Sequence, residues 1–200
     1  HTGDVVVGNI GSVRRSKYAV VGQTVNLTAR IESFTIGGQI LVSPELIRAA
    51  GPGLILGEEV KVHAKGMRKP LRCCELLGHQ DHPDLVLVRQ DIDCVSLAEP
   101  QSLHYVRLND KQLNEPKKPA TLLGLSRRQG LIKVREALPP YADIMLRLPH
   151  AKDGNREPEV YAKVVRAVDE PGKCYLVHFT SIPPEAQAWF DRLSEGVPGP

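Results

Sequence analysis

Asn26 and Arg30 stand four residues apart in the segment Gly22-Gln23-Thr24-Val25-Asn26-Leu27-Thr28-Ala29-Arg30-Ile31-Glu32-Ser33. On a helix that spacing sets an amide and a guanidinium on one face, one turn apart. The pair suits a sugar oxygen and a phosphate. The amide supplies a directional hydrogen bond, and the guanidinium is a permanently charged fork matched to phosphate oxygens. A solvated helix face produces the same spacing, so the pair gains meaning only from its surroundings. Leu27, Ile31 and Phe34 recur at i, i+4 and i+7, which gives the helix an apolar stripe for a core.

The elements that must position this pair follow from the flanking residues. Asp4–Val7 reads as a short strand ended by a Gly8/Gly11 turn, and Lys17–Val21 as a second strand leading into the helix. Gly37-Gly38 marks a turn into a strand over Gln39–Val42. Ser43-Pro44-Glu45 predicts a helix start, with an N-cap serine and proline at the first helical position. Gly51-Pro52-Gly53 ends that helix. Val60–Ala64 and Leu71–Leu77 alternate enough to pair as a hairpin around Lys65–Pro70.

Four segments in this order, His1–Ser12, Tyr18–Gly22, the helix, and Gly38–Ser43, closely resemble the class III nucleotide cyclase domain, the family of adenylate and guanylate cyclases. The resemblance runs on through Lys65-Gly66 and covers about residues 1–78. It implies an α+β, cyclase-type (ferredoxin-like) partial domain and the conversion of a nucleoside triphosphate to a 3′,5′-cyclic nucleotide and pyrophosphate. ATP and cAMP are the expected pair, GTP and cGMP the alternative. By resemblance Arg30 stabilises the transition state, Asn26 orients the ribose and Lys65 meets the terminal phosphates. Ala19, Gly22 and Gln23 fall at substrate-binding positions. Ala19 takes the base-contacting place, usually acidic or hydroxyl in adenylate cyclases and often cysteine in guanylate cyclases, and offers no hydrogen bond. Gln23 replaces a commoner acidic residue, so base selectivity stays open.

The family uses two divalent metals, Mg or Mn, held by aspartates that lie upstream of the matched strands. The expectation is that no metal ligand stands within residues 1–200, that the chain is a piece of a longer, bacterial-type signalling protein, and that alone it is catalytically inactive. Family members work as head-to-tail dimers, which makes a homodimer the expected assembly. The alternative reading is a non-catalytic pseudo-cyclase acting as a binding and dimerisation module.

Composition fits these readings. Of 200 residues, 42% are hydrophobic and 24% charged, ordinary values for a globular protein. Residues 1–78 hold ten Lys/Arg against six Asp/Glu, and residues 79–200 sixteen against seventeen. The first excess suits an anionic nucleotide and is too small for nucleic acid. No apolar run reaches the roughly 18 residues that span a bilayer, and nothing reads as a signal peptide. Cys73, Cys74, Cys94 and Cys174 form no C-x-x-C pair, so free thiols in a reducing cytoplasm are expected.

Residues 79–84, His-Gln-Asp-His-Pro-Asp, predict a polar linker. His79, Asp81, His82 and Asp84 have metal-ligand chemistry, but a linker is a poor frame for a metal. From residue 85 onward short strands alternate with turn signals: Leu85–Arg89, Thr121–Leu125, Leu131–Val134, Asp143–Leu148, Val160–Val168 and Tyr175–Thr180. That pattern predicts a small antiparallel barrel or sandwich. Pro184–Leu193, with Ala188, Trp189 and Leu193, reads as a C-terminal helix capping it.

This region, 85–200, resembles a PilZ domain through Leu125-Ser126-Arg127-Arg128-Gln129-Gly130, Val160–Val165 and His178–Pro184. Many PilZ domains bind cyclic di-GMP through an R-x-x-x-R segment and a D/N-x-S-x-x-G strand. Here Ser126 and Gly130 match, with Arg127 and Arg128 between them. Gly124 stands where the Asp or Asn belongs, and only Lys117-Lys118 and Arg107 precede the barrel. The resemblance thus implies a PilZ-like barrel for contacts or regulation, with cyclic di-GMP as a further candidate ligand.

Overall fold

The computed structural model describes residues 1–12, 14–62, 70–87, 94–108, 116–149, 157–169 and 173–195. The chain divides into two compact units, His1–Arg89 and Gln90–Pro200.

In the first unit, β1 (Val6–Ser12) and β2 (Arg15–Val21) pair antiparallel, with Val6 opposite Val21 and Gly8 opposite Ala19. β1 therefore runs through the glycines expected to end it. Gly11 is a strand residue at φ 139°, where a Cβ would collide with the Arg15 carbonyl. α1 (Gln23–Glu32) follows β2 directly. Of the expected stripe, Ile31 is buried, Leu27 is half-buried, and Phe34 lies just beyond the helix.

β3 (Leu41–Val42) leads into α2 (Pro44–Ala50), where the Ser43 hydroxyl caps the helix by accepting from Leu46 N at 3.2 Å. β4 (Leu54–Val62) and β5 (Leu71–His79) form the expected hairpin, with Val62 opposite Leu71. β6 (His82–Val86) also pairs with β5, and β3 does so through Leu41 and Val42. The described strands of this unit thus make two sheets, the β1–β2 hairpin and a sheet of order β3-β5-β4 with β6 on β5. Val42, Val60, Val62, Leu71 and Cys73 are buried with Ile31. Burial lifts the Cys73 thiol to about 11, with Cys74 adding to the effect.

The expected linker at 79–84 is corrected by this pairing. Residues 79–84 are the end of β5, a turn and the start of β6, with His79 opposite His82. The Leu85–Arg89 run was expected to open the barrel. Its leading residues instead complete β6, and the unit boundary falls after Arg89. The polar hairpin turn is what the sequence shows as a break.

The second unit is a closed six-stranded antiparallel barrel. It contains β7 (Val95–Arg107), β8 (Lys118–Leu125), β9 (Gln129–Val134), β10 (Asp143–Arg147), β11 (Glu159–Ala167) and β12 (Cys174–Ser181). The order is β10-β11-β12-β9-β8-β7, and β7 closes onto β10 with Ile144 opposite Arg107. Core residues alternate along most of the strands, and the β8 register shift between Leu122 and Gly124 moves the phase to Leu125. Leu122, Ile132, Ile144, Leu146, Val160, Val164 and Val177 are fully enclosed, each contributing roughly 1.5–3 kcal/mol on transfer from water. α3 (Pro184–Glu195) buries Ala186 and Phe190 in the same core. Phe190 stacks on Phe179 with ring centroids 5.1 Å apart. Ala188, placed on the packing face by the sequence reading, is exposed.

Candidate active site

Three adjoining features build the candidate site: the end of β2, the glycine junction and helix α1. Ala19 is half-buried on β2 opposite Gly8. Gly22 is the N-cap of α1 and brings no side chain to that cap. Its carbonyl accepts the Asn26 amide at 3.2 Å, which starts the helical ladder. Gln23 is the first helical residue and is exposed.

Asn26 and Arg30 are both exposed, one turn apart on the outer face of α1. Arg30 lies in the last turn, where the helix dipole favours a cation. The next residues close the helix: Ser33 Oγ donates to the Arg30 carbonyl at 2.7 Å, and Ser33 N to the Ala29 carbonyl at 3.1 Å. The inner face packs against β2 and β3, with Ile31 only 2% exposed. An amide and a guanidinium thus project from a helix anchored on its opposite side. Such a surface can hold a hydroxylated sugar and an anionic phosphorus centre.

Sequence reasoning missed two tertiary contacts here. The Thr24 hydroxyl donates to the Asp4 carbonyl at 2.9 Å. His1 Nδ1 lies 2.8 Å from Ser43 Oγ and 3.7 Å from a Glu45 carboxylate oxygen. Neither carries a periodicity signal, because each joins residues far apart in the chain. Lys65, expected to meet the terminal phosphates, lies outside the described residues.

Residues 1–75 match the family of adenylate and guanylate cyclase catalytic domains. That span holds α1 whole, with Asn26 and Arg30 inside it. Among solved structures, the crystal structure of the guanylyl cyclase Cya2 is 45% identical over 43% of this chain and 44% of that one, with a TM-score of 0.40. The chain thus spans under half the length of that relative. No curated protein matches.

Cyclase catalytic domains generally use divalent metals. Among the described residues, no three His, Cys, Asp or Glu side chains come together as a metal-binding group. His79 and His82 have ring centroids 5.4 Å apart, and His79 Nδ1 accepts from the Asp81 amide at 3.2 Å. The donor set among the described residues does not fit a two-metal centre. Among the described residues, no helix is long and apolar enough to cross a membrane.

The second group of expected ligand residues sits in the barrel unit. Ser126 Oγ accepts from Gln129 N at 3.1 Å, and Ser126 N donates to the Gln129 carbonyl at 2.8 Å, closing the β8–β9 turn. Gly130 is buried, and a Cβ there would stand 2.8 Å from the Phe179 ring. Arg127 and Arg128 are exposed at the turn. The Ser-x-x-Gly spacing is accounted for by the turn and its packing.

Proposed function

We propose that this chain belongs to a protein that cyclises a nucleoside triphosphate, and that residues 1–75 contribute the helix acting on ribose and phosphate. The observation that carries the reading is the outward Asn26–Arg30 pair on α1, inside the segment matched to cyclase catalytic domains. In this reaction the ribose 3′-oxygen attacks the α-phosphorus. A new phosphorus–oxygen bond closes the ring, the bond to the bridging oxygen breaks, pyrophosphate leaves and the 3′-hydroxyl proton goes to solvent.

Asn26 orients the ribose, and the Arg30 guanidinium neutralises charge growing on the α-phosphate and the leaving group. ATP is the proposed substrate and cAMP the product, with a homodimer as the working assembly. Lys65 is assigned the terminal phosphates, and Ala19, Gly22 and Gln23 the remaining wall of the nucleotide site. For the second unit we propose a PilZ-like docking or regulatory barrel, supported by its six-stranded closure and its C-terminal helix.

The test is cyclic nucleotide production from ATP or GTP with Mn²⁺, read by mass spectrometry, for this chain and for the protein with its upstream sequence. The expected result is activity only in the longer protein, reduced at least about a hundredfold by Arg30→Ala, the scale for losing one charge-stabilising donor. Undiminished turnover in Arg30→Ala would overturn the role of that residue. Silence in both proteins would favour a non-catalytic binding and dimerisation module.

A further inference from the structure

We propose that Thr24 is a positioning residue for the Asn26–Arg30 pair, acting through the hydrogen bond from its hydroxyl to the Asp4 carbonyl. The inference rests on the cyclase reading above and deepens it.

α1 has ten residues, and Ile31, near its C-terminal end, is the side chain it buries fully. Thr24, Val25 and Leu27 are only half-buried, so a helix seated chiefly at its C-terminal end can rock about Ile31, and rocking would carry Asn26 and Arg30 away from a bound nucleotide. The usual devices for pinning the other end are missing. Gly22 makes no side-chain cap, and the first turn carries no acidic residue.

Thr24 supplies the second anchor. Its hydroxyl reaches the Asp4 carbonyl at 2.9 Å, across twenty residues of chain, and so ties the first turn to the segment entering β1. Its own carbonyl accepts from Thr28 Oγ1 at 2.9 Å. Gly3 leaves room for the contact, since a Cβ there would stand 2.7 Å from the Thr24 hydroxyl. At about 100° per residue, Thr24 lies roughly 200° around the helix from Asn26. The tether therefore works from the anchored side and leaves the outer face clear. With Ile31 it fixes both the rotation and the tilt of α1.

The test uses the longer protein for turnover and the 200-residue chain for amide exchange. Thr24→Val keeps the side-chain shape and removes the donor; Thr24→Ser keeps the donor. Thr24→Val is expected to lower kcat by about tenfold or more while KM for the triphosphate stays within about twofold, since misplacement costs most in the transition state. Thr24→Ser is expected to restore kcat. In the chain, Thr24→Val is expected to speed exchange of the Asn26 amide and leave the barrel unit unchanged.

Unchanged Asn26 exchange overturns the tether whatever the activity. Unchanged kcat in Thr24→Val, beside a strong loss in Arg30→Ala, overturns the positioning role and leaves the cyclase reading standing. A wild-type longer protein without cyclase activity overturns both, and the exchange result then shows whether the tether itself exists.

Discussion

His178 stands on β12 between Gln129 of β9 and Lys163 of β11. Its Nδ1 is buried, with no hydrogen-bond partner among the described residues. Burial first, and the Arg128 guanidinium second, hold this imidazole below the ordinary histidine range. Lys163 adds no compensating charge, and its ammonium lies 3.7 Å from Asp143 on the side of β10. An unfolded chain takes up the His178 proton near pH 6.5, whereas the folded barrel does so only at lower pH. Between those values the unfolded state binds more protons, so this residue's contribution is full above about pH 6.5 and is lost as pH falls. Urea unfolding of the barrel at pH 7 and pH 5 is therefore expected to show a drop that His178→Gln lessens. Parallel profiles for wild type and variant would remove the assignment.

At the scale of elements, what was legible was what local chemistry decides. α1 was readable from its 3.6-residue period, α2 from the Ser43-Pro44 start, and the β4–β5 hairpin from its alternation. The misreadings lie where pairing overrides a local signal. Gly8 and Gly11 looked like a turn, yet both sit in β1 because β2 supplies their hydrogen-bonding partners. β7 went unseen because Pro100 interrupts its pattern; the register shifts between Ser96 and Gln101 absorb that proline. β6 was misplaced because an apolar run does not say which strand it will pair with. In the candidate site, Asn26 and Arg30 were visible as a spacing, while the Thr24–Asp4 tether was not, since nothing local links residues 4 and 24.

The β8–β9 turn shows the converse, a motif whose form has a structural cause. Ser126 spends its hydroxyl on the Gln129 amide, and Gly130 yields space to Phe179. Gly124, in place of an Asp or Asn, has no side chain to offer a ligand. Titration calorimetry with cyclic di-GMP is accordingly expected to show no binding. Heat that disappears in an Arg127→Ala, Arg128→Ala double variant would instead make the barrel a receiver of that ligand.

The whole molecule joins two units with opposite relations to solvent. In the first, β1 and β2 expose Val6, Val7, Ile10, Tyr18, Val20 and Val21. A two-stranded hairpin with apolar side chains open to water is marginal by itself. Among the described residues the second unit has no open sheet edge, because β7 and β10 close the barrel. Its core draws on all six strands, and α3 covers it with Phe190 stacked on Phe179. Among the described residues, the buried members of that core lie between Leu103 and Phe190, and Leu97 and Leu193 pack against them, all within residues 90–200. A fragment of residues 90–200 is therefore expected to fold alone. The chain's single tryptophan reports on it, since Trp189 packs against the core with its ring centroid 5.5 Å from Phe190. Its fluorescence should show one cooperative urea transition with the same midpoint in the fragment and in the whole chain. A gradual, non-cooperative change in the fragment would mean that the barrel depends on residues 1–89, and its independent stability would fall.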